Sequence, residues 1–265
     1  MLRDPGLGPL YVLVLGVLCG WMGFRLGWRA AHRIVLPLLE GGMGFLAFLY
    51  AWTLFGPLSA AIAVMGWALG TSLPAIATFR RHPAAADARV LRAAPYRAEM
   101  LAWLRSGVGP EVFPRRTALA HLRELAAYLV AAAATANAGA LVLGAILLNY
   151  MNAYVARLLA AARHPWTVRL LAWNVWSLVR VLGYVLLGVA AAAPLLRWTG
   201  RPGDPTEIRA LALTGAFAVM LDLLLKLLLS PPAGRRLAAA VDLDAAAALP
   251  EPDATPGLTR RLGPR

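Results

Sequence analysis

The sequence predicts an all-α fold: a polytopic membrane helical bundle of about six transmembrane helices with a short cytoplasmic amphipathic insert. Three observations carry this. Six long apolar stretches, at roughly 7–27, 34–55, 57–79, 125–148, 170–196 and 208–229, are almost free of charge. Each is long enough, at ~1.5 Å per residue, to cross a hydrocarbon core of ~30 Å. The 265-residue chain is 60% hydrophobic and only 15% charged, against about 45–50% and about 25% in an average soluble domain. The apolar residues also form continuous runs, whereas a membrane barrel needs alternating segments of ~10 residues.

The first stretch carries Gly16, Gly20, Gly23 and Gly27. These make two small-xxx-small steps, which let helix backbones approach closely. The run has no small-x-small cleavage site followed by a polar continuation, so it reads as a retained helix. Gly56-Pro57 separates the second and third stretches and forces an antiparallel hairpin. The third repeats the glycine step at Gly66 and Gly70. The insert over 80–124 is rich in arginine. Within it PYRAEMLAWLRSG reads as a short helix opened by Pro95 and closed by Gly107. Met100, Leu101, Trp103 and Leu104 form its apolar side, which suits a membrane surface.

The fourth stretch is rich in alanine and leaves through NYMNAY (149–154), an interfacial composition. Trp166, Trp173 and Trp176 before the fifth stretch and Trp198 after it read as two aromatic belts. The organisation expected is a three-helix membrane segment over 1–79, the basic insert over 80–124, a second three-helix segment over 125–229 and a proline-rich mobile tail over 230–265.

The net charge is +13, and every basic residue except Lys226 is arginine. Most arginines lie between apolar runs, where positive charge sets orientation and meets anionic lipid headgroups. Topology and lipid contact therefore account for the charge, and no nucleic-acid partner is expected. Lys and Arg favour the loops after the first, third and fifth spans. Six crossings then put both termini outside and the insert in the cytoplasm, as a multi-pass protein of the cell inner membrane. Cys19 is the sole cysteine, so no intrachain disulfide forms.

Ionisable residues inside spans are costly and usually face the bundle interior. Here they are Glu40, Arg180, Asp222 and Lys226. Gly41, Gly42 and Gly44 leave space beside Glu40 for a helix, water or a ligand. Arg180 and Asp222 fall at matching depths if the fifth and sixth spans are antiparallel, which permits an ion pair. Asp222 and Lys226 are spaced i, i+4 in the favourable order. Asn137 sits near the middle of the fourth stretch, where such residues mostly hydrogen-bond a neighbouring helix. Two readings of the charged set compete: an ion pair that fixes helix register, or a polar pathway through Arg180, Asp222 and Glu40.

No histidine pair has metal-ligand spacing, His121 and Glu124 standing i, i+3 without a second histidine. GxSxG and phosphate-loop motifs are absent. No cofactor or metal is expected, and the leading reading is non-enzymatic. The arginine-rich insert with its short helix resembles in layout the coupling segments of transporter permeases. The reading taken first is a permease-like or channel-like bundle for an ion or small anionic solute, working as a homo-oligomer or with a partner protein docked on 80–124. The rival readings are a membrane-embedded enzyme acting on a lipid or lipid-linked substrate, and a structural or assembly subunit.

Overall fold

Residues 8–107 and 114–248 are described by a computed structural model. The first three helices are α1 (Gly8–Ala30), α2 (Val35–Phe55) and α3 (Pro57–Arg81). Gly56 turns the chain between α2 and α3 with φ of 90°, a conformation open to glycine without steric cost. Pro57 then starts α3, where its missing N–H would have no helical partner anyway. The glycines of α1 divide between two neighbours. Gly16 and Gly20 face α3, where an added Cβ would lie 2.0 Å from Ala63 O and 2.3 Å from Trp67 O. Gly66 and Gly70 return the contact against Leu13 and Val17 carbonyls at 2.3 and 2.1 Å. Gly23 and Gly27 instead abut the Cα atoms of Glu40 and Leu36 in α2, each at 2.9 Å.

The insert folds as α4 (Pro83–Arg89) and α5 (Ala93–Ser106), followed by α6 (Pro114–Ala134). The remaining helices are α7 (Ala138–Ala160), α8 (Pro165–Leu171), α9 (Val175–Trp198), α10 (Pro205–Ala240) and α11 (Leu243–Ala247). Among the described residues there is no strand, only an isolated bridge between Ala162 and Val241. Six helical stretches are long and apolar enough to cross a membrane: α1, α2, α3, α7, α8 with α9, and α10. The protein is an integral, multi-pass membrane protein built as a helical bundle.

The fourth predicted span is misplaced. Residues 125–148 do not form one helix, because the chain reverses at Thr135-Ala136-Asn137. Ala136 and Asn137 take φ of 50° and 80°. The Asn137 N–H donates to Ala132 O at 2.8 Å, and Thr135 Oγ1 accepts from the Gly139 N–H at 2.7 Å. Asparagine tolerates the left-handed conformation better than other side-chain-bearing residues. Helices α6 and α7 therefore form a hairpin, with α6 as an additional, less apolar member of the bundle beside α9.

That reversal moves the C-terminal segment. Tyr11 meets Tyr50, Trp52 Nε1 donates to Arg201 O at 3.0 Å, and the Leu58 N–H donates to Glu207. The start of α1, the α2–α3 turn and the α9–α10 turn thus share one end. At the other end Arg163 N–H donates to Ala240 O at 2.8 Å, Asp242 N–H to Ala161 O at 2.9 Å, and Arg105 pairs with Asp244. The expectation that the insert and the C-terminal segment lie on opposite sides is overturned: both cover the same end.

Two further expectations change. Helix α10 does not stop at 229 but runs through Pro231 and Pro232 to Ala240. Gly234 seats against the Trp103 ring, and Leu237 and Ala240 are buried. Tertiary packing here outweighs the poor helix propensity of proline. Residues 230–248 are thus an ordered part of the bundle end, while the proline-rich stretch over 249–265 lies outside the described residues. The apolar side of α5 faces protein rather than lipid: Met100, Leu101, Trp103 and Leu104 are buried with Leu158, Val168 and Leu237. Of the expected aromatic belts, Trp166 and Trp198 are exposed and Trp176 is buried.

Candidate functional site

Helix α6 repeats His121, Glu124 and Tyr128 at helical spacing, which sets them along one side of the helix. That side meets α9. Tyr184 donates its hydroxyl to His121 O at 3.3 Å, and the Tyr128 and Tyr184 rings lie 5.2 Å apart. Gly188 makes room for Tyr128: an added Cβ would sit 2.8 Å from its ring.

Between α3, α6, α7 and α9 lies a cavity of about 60 Å³. Its walls are largely apolar, but Glu124, Tyr128, Tyr150, Ser177, Arg180 and Tyr184 all reach it. The volume suits a small ion or a few water molecules, since water needs ~10–15 Å³ of cavity by this kind of measure.

Arg180 joins the cavity to α10. Its Nε donates to Asp222 Oδ2 at 2.9 Å and its Nη2 to Asp222 Oδ1 at 3.1 Å. This two-bond fork is the strong geometry for a guanidinium and a carboxylate. The Asp222 side chain is only 1% exposed, against 18% for Arg180. Lys226 is buried one turn beyond Asp222. Arg180, Asp222 and Lys226 thus join α9 and α10 into one charged unit.

Glu40 lies apart from this unit. It is fully buried, and one carboxylate oxygen accepts from the Asn149 side-chain amide of α7. Its backbone carbonyl accepts from Trp67 Nε1 at 2.8 Å. Gly41 admits the backbone of Val142 and Gly44 admits the Trp67 ring. The space at Gly41 and Gly44 is therefore filled by a helix and an indole, while an added Cβ at Gly42 would meet nothing within 4 Å. Trp67 stands between Glu40 and the cavity, with its ring on the cavity wall. Arg180 lines the cavity, and Glu40 and Asp222 are not among its lining residues.

Asn137 is also elsewhere than expected. It caps the start of α7 at the hairpin turn, 1% exposed, with neither side-chain polar atom bonded to protein. Its backbone conformation, rather than a mid-helix hydrogen bond, explains its position.

Glu124 is the residue that sequence reasoning missed. Assigned to the insert, it lies instead on a bundle helix beside Arg180. The signal was the spacing of His121, Glu124 and Tyr128, which continues without a break into the apolar run. Two of the insert's arginines, Arg89 and Arg97, turn inward. Asp87 accepts from both Arg97 and Arg157, the latter at 2.8 Å. Arg89 lies over Trp28 at 4.6 Å and donates to its carbonyl. Among the described residues, no group of three or more His, Cys, Asp and Glu side chains is placed to share a metal ion.

Compared with known proteins, the chain matches no protein-family model, no curated protein and no solved structure.

Proposed function

We propose that this membrane protein moves a small anion, and that Arg180 in the cavity between α3, α6, α7 and α9 is its binding point. The observation that carries the reading is a guanidinium fork bordering a partly open, water-sized space between helices. A buried arginine is an anion site when its carboxylate can be exchanged for the solute, and Asp222 has Lys226 one turn away as a second cation. Arg180 and Lys226 balance Glu124 and Asp222 in charge. An entering anion is therefore held by Arg180 and Lys226 in exchange for part of their contact with Asp222.

The distribution of arginine supports an orientation. Arg25, Arg29, Arg33, Arg80, Arg81, Arg89, Arg92, Arg105, Arg163, Arg169, Arg235 and Arg236 gather toward the end covered by α4, α5 and α11. Arg197, Arg201 and Arg209 mark the other. The positive-inside rule puts the arginine-rich end in the cytoplasm, and the cytoplasmic membrane of a cell is the setting we assign.

The test is flux. In liposomes carrying the purified protein, uptake of chloride, nitrate and formate is followed. Uptake of at least one anion is expected, falling about tenfold or more in Arg180→Gln, the scale of ~1.4 kcal/mol lost from the rate-limiting barrier. Flux of all three anions at the level of empty liposomes, or unchanged flux in Arg180→Gln, refutes the proposal.

A further inference from the structure

We propose that a second, separate site, the cleft between α6, α9 and the start of α10, holds one anionic phospholipid. The cleft follows from the hairpin. Asn137 lies beside Gly188, whereas α9 continues to Trp198, ten residues or ~15 Å further at 1.5 Å per residue. Helix α6 ends short, and α9 and α10 flank an open volume of about 900 Å³. Its floor is apolar, with Leu129, Leu187, Ala190 and Ile208 among the lining residues. Such a surface accepts an acyl chain.

The rim is charged, and all of one sign. Arg197 and Arg209 line the cleft, and no carboxylate does. The two acids nearby in sequence are engaged elsewhere: Asp204 accepts from the Thr206 N–H at 2.8 Å, and Glu207 accepts from the Leu58 N–H at 3.2 Å. Arginine forks match phosphate oxygens, and basic pockets between membrane helices hold anionic lipid headgroups. Apolar length below and two guanidinium groups above describe a phosphodiester lipid. This cleft is at the end opposite α4 and α5, so the lipid belongs to the leaflet away from the arginine-rich end. None of these residues lines the Arg180 cavity, and the two proposals stand or fall separately.

Lipid retention tests it. The detergent-purified protein is equilibrated with equal amounts of phosphatidylglycerol and phosphatidylcholine and examined by native mass spectrometry. The wild type is expected to hold one phosphatidylglycerol with a preference of about tenfold or more, equivalent to ~1.4 kcal/mol. Arg197→Ala/Arg209→Ala loses the preference, and Arg80→Ala/Arg81→Ala at the other end keeps it. All three are expected to melt at similar temperatures, because the replaced side chains are exposed. No preference in the wild type, a preference unchanged in Arg197→Ala/Arg209→Ala, displacement of the lipid by millimolar inorganic phosphate, or a second copy of the chain in place of lipid would each overturn the proposal.

Discussion

Helices α1 and α3 meet backbone to backbone, while α6 and α9 meet through the Tyr128 and Tyr184 side chains, and Arg180 of α9 forks onto Asp222 of α10. In the first region four glycines leave no space: an added Cβ at Gly16, Gly20, Gly66 or Gly70 would fall within 2.3 Å of a carbonyl oxygen. In the second, α9 and α10 approach at Gly183 and Gly215, but tyrosine and arginine side chains of α6 and α9 border a cavity. Close packing is stiff because dense interiors admit little movement. Partner exchange at a buried ion pair needs room. If Arg180 is the anion-binding point proposed above, α1–α3 serve as scaffold and α6, α9 and α10 carry the site, with Trp67 and α7 as the wall between them.

The largest effect expected is from filling a glycine contact. Gly70→Ala puts a methyl group 2.1 Å from the Val17 carbonyl. Overpacking costs typically ~1–3 kcal/mol and more where backbone must move. Gly70→Ala should therefore lose about 3 kcal/mol or more of stability in detergent unfolding. Gly188→Ala meets only the Tyr128 and Asn137 side chains, and should cost about 1 kcal/mol. Equal losses in both variants would erase the distinction between the two regions.

Next comes the ion pair. Asp222→Ala leaves the Arg180 charge without its carboxylate, and breaking a buried pair costs ~3–5 kcal/mol. Because Arg180 is partly exposed, about 2–3 kcal/mol is expected here. Arg180→Leu/Asp222→Leu removes both charges and should recover to within about 1 kcal/mol of wild type, while flux stays lost. Recovery of stability with flux intact would make the pair a register device and nothing more.

Glu40→Gln is expected to change little. A neutral amide still accepts from Asn149, so stability should stay within about 1 kcal/mol, the scale of a typical net hydrogen bond, and anion flux should be unaltered. Loss of flux in this variant would mean that the Trp67 wall does not separate the regions.

The smallest effect concerns the arginine-rich end. The Ala245 backbone N–H and the Arg163 side chain hold the Asp242 carboxyl below the usual carboxylate range. A depressed value means that the ionised form contributes stability above the unfolded-state value, ~3.9 for Asp. That contribution disappears as pH falls through the lower folded-state value. Hydrogen-exchange protection across 243–247, taken relative to the intrinsic rate at each pH, should fall on acidification below about pH 4, with the low-pH step reduced in Asp242→Asn. An identical pH profile in both proteins would deny Asp242 this role.

Length and hydropathy made most of the bundle legible, because crossing a membrane requires long apolar helices. The hairpin at Thr135-Ala136-Asn137 was written in residues that tolerate a turn, yet alanine on both sides masks it as continuous helix. Everything downstream depended on that reversal: the side of the C-terminal segment and the placement of Glu124. The run of α10 through Pro231-Pro232 was hidden for another reason, since contacts with Trp103 decide it and local preference opposes it. Arg180 and Asp222 could be matched by depth because antiparallel helices fix relative height. The separation of Glu40 from them depends on where Trp67 stands, which spacing along one helix does not reveal.

The division of labour is tested most directly by measuring anion flux in liposomes for Arg180→Leu/Asp222→Leu beside Glu40→Gln, both in proteins that melt like wild type. The account predicts flux at the empty-liposome level in the first and wild-type flux in the second. Wild-type flux in the double variant, or lost flux in Glu40→Gln, would contradict it.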